Sequence, residues 1–435
     1  MKPDFRPLGA SMRRLGALML TLSVITPAAS VFIMGQTVVQ QAGTGAVIAF
    51  AVVAVLGLAS GYVYAEVSSA FPLTGGEYSV IARTLGPAWG MMALGVNLFG
   101  APVGQAAFAL GLADYLGDVI PGLPARPAAL AVTAGTTIVT LLNIRLNAIV
   151  TGVFLAVELA ALGTITLLGA LHPHQPWSLL ALHPVTAVGG ALAPTPWAAI
   201  GLASAGAVFA VNGYGGAMFF GEEMYEARTK VAWVVFASLA IGVVAELVPI
   251  TALLIGAPDL RRILTADAPF KAFLTLAGGP TVEKAVSLGV AFSIVNAMIA
   301  VGLINARQLF CSGRDGVWPE PLNRWFAAVH PRFRSPWIST LVMGAATAAG
   351  DYRMPHFPFW PIVTLVGTAG VAWAAISDPV DGRPSLLANL GAAALFAAYW
   401  ALYLRRRGGW VLRGADGLPL DALEAASLAE QAPRA

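Results

Sequence analysis

A single cysteine, Cys311, stands among the 435 residues. It cannot close a disulfide within the chain, and one thiol assembles neither a metal cluster nor a redox pair. Charge is nearly as scarce: Asp, Glu, Lys and Arg make up 11% of the residues, against roughly 25% in soluble domains. That deficit excludes an ordinary soluble domain. Histidine is sparse too, and His172, His174 and His183 fall in a Pro-containing loop that reads as a solvated connector rather than a metal site. The glycine-rich stretches lack the Lys of a phosphate-binding loop, and with no ATPase segment nothing here drives a primary pump. The net charge of +3 follows from the distribution of loop residues and does not suggest nucleic acid. No cofactor is expected.

What the chain has in abundance is apolar length. It is 57% hydrophobic with a mean hydropathy of +0.75, and runs near 20 apolar residues recur. Helices crossing about 30 Å of hydrocarbon need such runs, whereas barrel strands would alternate over about ten residues. The expected class is an all-α polytopic membrane protein whose partner is the lipid bilayer. Arg13 and Arg14, a following apolar run and Pro27-Ala28-Ala29 mimic a secretory leader, but the run resumes from Val31 to Val39. A leader's apolar core stops after about 7 to 15 residues, so this is read as a retained first helix.

Hydropathy places helices near 15–40, 44–70, 88–116, 127–145, 147–171, 196–221, 230–256, 283–307, 359–377 and 385–404. With the N-terminus inside, most basic residues fall on the cytoplasmic side, from Arg13 and Arg14 through Arg145, Arg228, Arg314 and Arg334 to the Arg405–Arg407 cluster. The positive-inside rule then puts both termini in the cytoplasm, and the expected location is the cell membrane. Trp337 to Gly350 is apolar but only about two thirds of the roughly 20 residues a crossing needs. It reads as re-entrant or interfacial. Residues 257–281 read as short amphipathic helices over the outer face, and 408–435 as a polar cytoplasmic tail.

Two span-length segments break in the middle. Pro27 removes a backbone donor and clashes with the preceding turn, so the first helix should open within Ile25 to Ser30. Asn212-Gly213-Tyr214-Gly215-Gly216 interrupts the sixth, each glycine disfavouring helix by about 1 kcal/mol relative to alanine. Broken backbone in hydrocarbon is tolerated only where protein, water or a ligand takes its hydrogen bonds, and a pair of breaks in corresponding halves points to a transporter's binding site. The alternative for each break is a packing kink. On the binding reading, Thr26, Ala28, Ala29 and Ser30 let a ligand reach the backbone. A half-helix starting near Ser30 then offers free N–H groups to a carboxylate. Phe209, Ala210, Asn212, Gly213 and Tyr214 would take an ammonium on freed carbonyls between aromatic walls.

Further motifs are Tyr64-Ala65-Glu66, Phe71-Pro72, Gly75-Gly76-Glu77-Tyr78 and Arg83-Thr84-Leu85-Gly86-Pro87, then Phe209 to Tyr214, Glu222-Glu223, and Arg314-Asp315-Gly316-Val317-Trp318-Pro319. Together they resemble the amino acid permeases of the amino acid-polyamine-organocation superfamily over nearly the whole chain. The resemblance implies the leucine-transporter fold, with inverted five-helix repeats at 15–171 and 196–350, two final helices in 351–407, and alternating-access uptake or exchange of amino acids or amines. Three departures stand out. Ala28, Ala29 and Ser30 replace the family's glycines, Gly215 replaces a frequent acid, and the ninth and tenth helices shrink to Trp337–Gly350, so the second repeat is shortened.

Glu66, Glu158 and Glu246 lie within apolar spans, where a charge costs roughly 2.5 to 3.5 kcal/mol on insertion scales. Glu158, mid-span beside the expected first break, is either a proton-coupling site or a carboxyl bonded to a neighbouring helix. Glu66 reads as a structural partner for loop residues, and Glu246 has no partner evident in sequence. Ser293 could offer a hydroxyl to sodium, yet serine in a helix commonly bonds its own backbone, which favours proton coupling or plain exchange. The expected function is secondary transport of amino acids. The alternatives are a transport-incompetent relative that binds ligand as a sensor or partner subunit, and a polyamine or amine permease.

Overall fold

The computed structural model describes residues 8–117, 120, 122–349, 382–407 and 411–412. The first crossing is interrupted: α1 (Arg14–Ile25), α2 (Pro27–Ser30), a π-helical turn (Val31–Gly35) and α3 (Gln36–Ala42) follow one another. Gly43 then reverses the chain with φ 56°, where a Cβ would stand 2.1 Å from the Val185 carbonyl oxygen, so only glycine fits. The path continues through α4 (Ala46–Ala70), α5 (Glu77–Thr84), α6 (Pro87–Gly117), α7 (Ala125–Thr140) and α8 (Ile144–Leu171). Asn143 starts α8 by accepting the Leu146 N–H at 2.9 Å, an N-cap of the usual kind.

After α9 (Ser178–Ala181) comes an antiparallel hairpin of β1 (Val185–Val188) and β2 (Ala191–Pro194), with Val185 opposite Pro194. Hydropathy had treated this stretch as connector, because two four-residue strands are too short to show a pattern. Next are α10 (Trp197–Val211), a 3₁₀ helix (Tyr214–Glu223) and α11 (Ala227–Ile255). The expected short helices over one face are α12 (Leu260–Leu264) and α13 (Pro269–Gly278), and α14 (Pro280–Arg314), α15 (Leu322–Phe326) and α16 (Trp337–Ala349) follow. Last come α17 (Gly382–Tyr399), a π-helical turn (Trp400–Leu404) and α18 (Arg405–Arg407). The helix expected at 359–377, Gly350, and nearly all of the 408–435 tail lie outside the described residues.

Among the described residues, six helical stretches are long and apolar enough to cross a membrane. Large apolar side chains face outward from them, for example Val55, Tyr62, Ile149 and Val244, as expected where lipid is the solvent. α14 is the central post: two thirds of its most apolar window is buried, against 33–39% for the other five. α16 sets one face into the bundle and leaves Leu341 and Val342 exposed on the other. Ser339, Thr340, Met343 and Thr347 are buried, and the Thr347 hydroxyl meets Gln105 Oε1 at 3.2 Å, midway along α6. The helix is wedged among α6, α7 and α14, held there by threonines and by the close fit of Gly344 on Thr137.

Candidate functional site

The first helix opens one residue before its proline. Thr26 takes a left-handed conformation (φ 50°, ψ 62°), which ends α1 and makes Pro27 the first residue of α2. Proline suits that place because its missing N–H would be unpaired there anyway. The expected start near Ser30 is therefore corrected to Pro27, and Ser30 lies inside the new helix with its N–H on the Thr26 carbonyl at 2.9 Å. The N–H groups expected to be free are also occupied. Ala28 donates to Glu158 Oε2 at 3.5 Å and Ala29 to Ser293 Oγ at 3.0 Å. The Ser30 hydroxyl turns back to the Ile25 carbonyl at 2.8 Å.

Glu158 reaches this point from α8 and is fully buried. Its second oxygen accepts from Asn296 Nδ2 at 2.6 Å, and the same amide donates to Ser23 Oγ at 3.0 Å. Three helices thus meet on one carboxylate: α2 through a backbone donor, α14 through Asn296, and α8 through Glu158 itself. The amide holds its oxygen at close range while the Ala28 contact is at the limit of hydrogen bonding. The bond to α2 is the weaker of the two.

The sixth helix breaks where its glycines begin. α10 ends at Val211, Asn212 is extended (φ −65°, ψ 154°), and Gly213 has φ 123°. Asn212 is exposed, and its side chain accepts the N–H of Gly213 at 2.8 Å. A Cβ on Gly213 would sit 2.9 Å from Ile25 N and 3.0 Å from Ile25 Cα. The two breaks therefore touch, backbone against backbone. Ala210 is buried, Phe209 half-buried, and Tyr214 stands edge-on to Tyr64 with centroids 5.7 Å apart. The structure brings Thr26, Ala28, Ala29, Ser30 and Glu158 together around the first break, and Gly213 joins that group to the second.

A family model described as amino acid permease matches residues 14–375. The chain belongs to the amino acid permease family. An uncharacterized transporter of Mycobacterium tuberculosis is 28% identical over 340 residues, covering 74% of the permease and 69% of that protein. The branched-chain amino acid permease BcaP of Bacillus subtilis is 25% identical over 362 residues, covering 77% and 74%. Cationic amino acid transporter 7 of Arabidopsis thaliana is 26% identical over 347 residues, covering 74% and 56%. The permease is a multi-pass membrane transporter, and its interrupted helices fit the leucine-transporter fold of the family.

The contact between the breaks makes Gly213 intolerant of any side chain. Gly213→Ala combines a positive φ, worth about 1–3 kcal/mol, with a collision against Ile25 backbone. It is expected to lower the melting temperature in detergent sharply. Gly111→Ala in α6, where a Cβ meets nothing within 4 Å, should melt like the parent.

Beyond the break, the permease runs as a 3₁₀ helix for ten residues, whereas such runs rarely exceed three or four. Close packing holds it: Gly215 against the Tyr64 ring, Gly76 against Phe219, and Gly221 against the Pro72 backbone. Its end is tied by two buried ion pairs. Arg307 donates from Nε to Glu223 Oε2 at 2.5 Å and from Nη2 to Oε1 at 3.0 Å. Arg314 grips Glu222 at 2.7 and 2.9 Å, and Glu222 also accepts the Thr74 N–H at 3.1 Å. The N-terminal segment closes over them, with Ser11 and Met12 N–H groups both on the Glu223 carbonyl at 2.9 Å. Beside this latch the buried Tyr78 hydroxyl donates to Asp315, and burial pushes the Tyr78 phenol well above its usual range.

Sequence reading missed the pairing of Arg307 with Glu223. An arginine at the end of an apolar run looks like a cytoplasmic anchor, and only the fold shows that it is 1% exposed. It also missed Asn296, whose amide is one polar group in a long apolar helix. Glu66 is exposed on α4.

Proposed function

We propose that this permease carries amino acids across the cytoplasmic membrane by alternating access, with both termini in the cytoplasm and protons as the coupling ion. The observation that carries the reading is the junction of the two breaks, where a titratable carboxylate, Glu158, holds a backbone donor of the interrupted first helix. A substrate carboxylate and Glu158 are alternative acceptors for the Ala28 N–H. Protonation of Glu158 weakens its claim on that donor and frees the start of α2, whose dipole favours an anion. Thr26, Ala29 and Ser30 line the same turn. The ammonium and side chain then lie along Phe209, Ala210, Asn212, Gly213 and Tyr214. Substrate and proton bind together on this scheme, which is symport.

The names of the relatives support amino acids as the substrate class. The basic residues support the orientation: Arg14, Arg145, Arg228 and Arg314 cluster at the helix ends that the latch ties shut, the cytoplasmic side by the charge rule. Opening that side must release Arg307 from Glu223 and Arg314 from Glu222. The test is uptake of labelled amino acids into proteoliposomes against a panel of unlabelled competitors. Saturable uptake, driven by an inward proton gradient and collapsed by a protonophore, is the expected result. Ligand-dependent thermal stabilisation without flux would instead support the sensor reading.

A further inference from the structure

The carboxyl of Glu246 is not used by the scheme above. It lies in α11, is 0% exposed, and neither of its oxygens has a hydrogen-bond partner among the described residues. Glu158 shows what the fold does with a buried carboxylate it means to satisfy, giving it an amide and a backbone N–H. Burying a carboxyl without partners is expensive in any protein interior, and in a span such a residue marks function by default.

Its position follows from its neighbours on the same face of α11. One turn earlier, a Cβ on Gly242 would stand 3.1 Å from Ile25 Cδ1. One turn later, Ile250 packs on Gly35, its Cδ1 3.3 Å from where a Cβ there would be. Residues at i, i+4 and i+8 share a helix face, so Glu246 is set against the first helix between Ile25 and Gly35. That interval contains the break and the small residues Ala28, Ala29 and Ser30. Glu246 therefore lies on the face of α11 turned toward the segment already assigned to substrate. The described lysines and arginines lie at or near helix ends or in connecting segments, and none forms an ion pair with Glu246.

We propose that Glu246 is the counter-ion for a second positive charge on the transported solute, which makes cationic amino acids the preferred substrate class. The inference rests on the amino acid reading above and adds to it a specificity determinant. An α-amino acid presents one ammonium and one carboxylate to the two breaks. A side chain ending in an ammonium or guanidinium brings the further donors that both Glu246 oxygens lack. A neutral solute gains nothing from this carboxyl, whereas a cationic one gains the contact, and that difference sets the preference.

The experiment compares lysine with norleucine, of similar size but without the terminal charge, as competitors of labelled arginine binding to the purified permease. Lysine is expected to compete at least tenfold more strongly in the parent protein. In Glu246→Gln, nearly isosteric and checked by its melting curve, that preference should fall to about twofold while norleucine is unchanged. Equal competition by lysine and norleucine in the parent overturns the proposal without any variant. Equal weakening of both solutes in the variant also overturns it, since the residue is then structural. Stabilisation by sodium over choline that is lost in Glu246→Gln, with the lysine preference intact, overturns it in favour of an inorganic cation. If no amino acid or amine binds or moves at all, it is the transport reading that fails.

Discussion

Arg307→Met is expected to be among the most destabilising single changes in the permease. Glu223 would remain buried with its charge uncompensated, which costs about 3–5 kcal/mol when one partner of such a pair is removed. Both side chains are almost fully enclosed, at 2% and 1% exposure, so solvent cannot make up the loss. Arg307 also lies over the Phe220 ring at 5.3 Å, a contact the variant forfeits. The double variant Arg307→Met with Glu223→Leu should recover most of the stability, because it removes the desolvated charges together. Thermal melting in detergent measures both effects. The protein supplies its own reporter of gating, since Cys311 is the single cysteine and is buried beside this latch. If the ion pair holds the basic end shut, the stable double variant should expose Cys311 to a maleimide at least tenfold faster than the parent. An unchanged labelling rate would show that the pair only stabilises the fold.

Glu158→Gln is expected to abolish the pH dependence of substrate affinity. In the parent, affinity should rise as pH falls, because a proton on Glu158 releases the Ala28 N–H to the substrate carboxylate. Glutamine is neutral at every pH and should hold affinity near the low-pH value of the parent, while accumulation driven by a proton gradient disappears. Counterflow exchange at equal pH should survive. Asn296→Ala removes the shorter of the two bonds on Glu158, so it should shift the pH profile without flattening it. A Glu158→Gln protein whose affinity still varies with pH would exclude Glu158 as the coupling group. These measurements separate a coupling residue from a packing one, since loss of packing lowers melting temperature and leaves the shape of the pH profile intact.

Much of the architecture was legible in the chain because lipid imposes a simple rule. Every span must be apolar for about 20 residues and must satisfy its backbone internally, so hydropathy alone located the six long stretches. The breaks were legible for the same reason: Pro27 and the glycines after Asn212 violate the rule in a way only a protein-lined or ligand-lined interior permits. The short hairpin at 185–194 and the wedge of α16 were not legible, because their positions depend on partners remote in sequence. The start of α2 was misplaced by three residues because nothing in the residue types shows that Thr26 adopts positive φ. In the fold, Thr26 is tied to both helices by its own backbone, through its N–H to Leu22 and its carbonyl to Ser30, and Gly213 packs on the neighbouring Ile25.

The sequence by itself determined the solvent, the helical class, the alternation of spans and the two places where helix fails, all of which follow from local composition and backbone chemistry. Tertiary structure alone decided that the two failures touch. It alone decided that Glu158 closes on Ala28, that Arg307 is an interior ion rather than a surface anchor, and that Glu246 has no hydrogen-bond partner among the described residues. Each of these facts is a distance between helices. A linear pattern states which residues are costly to bury, and only the assembled bundle states which of them have been compensated.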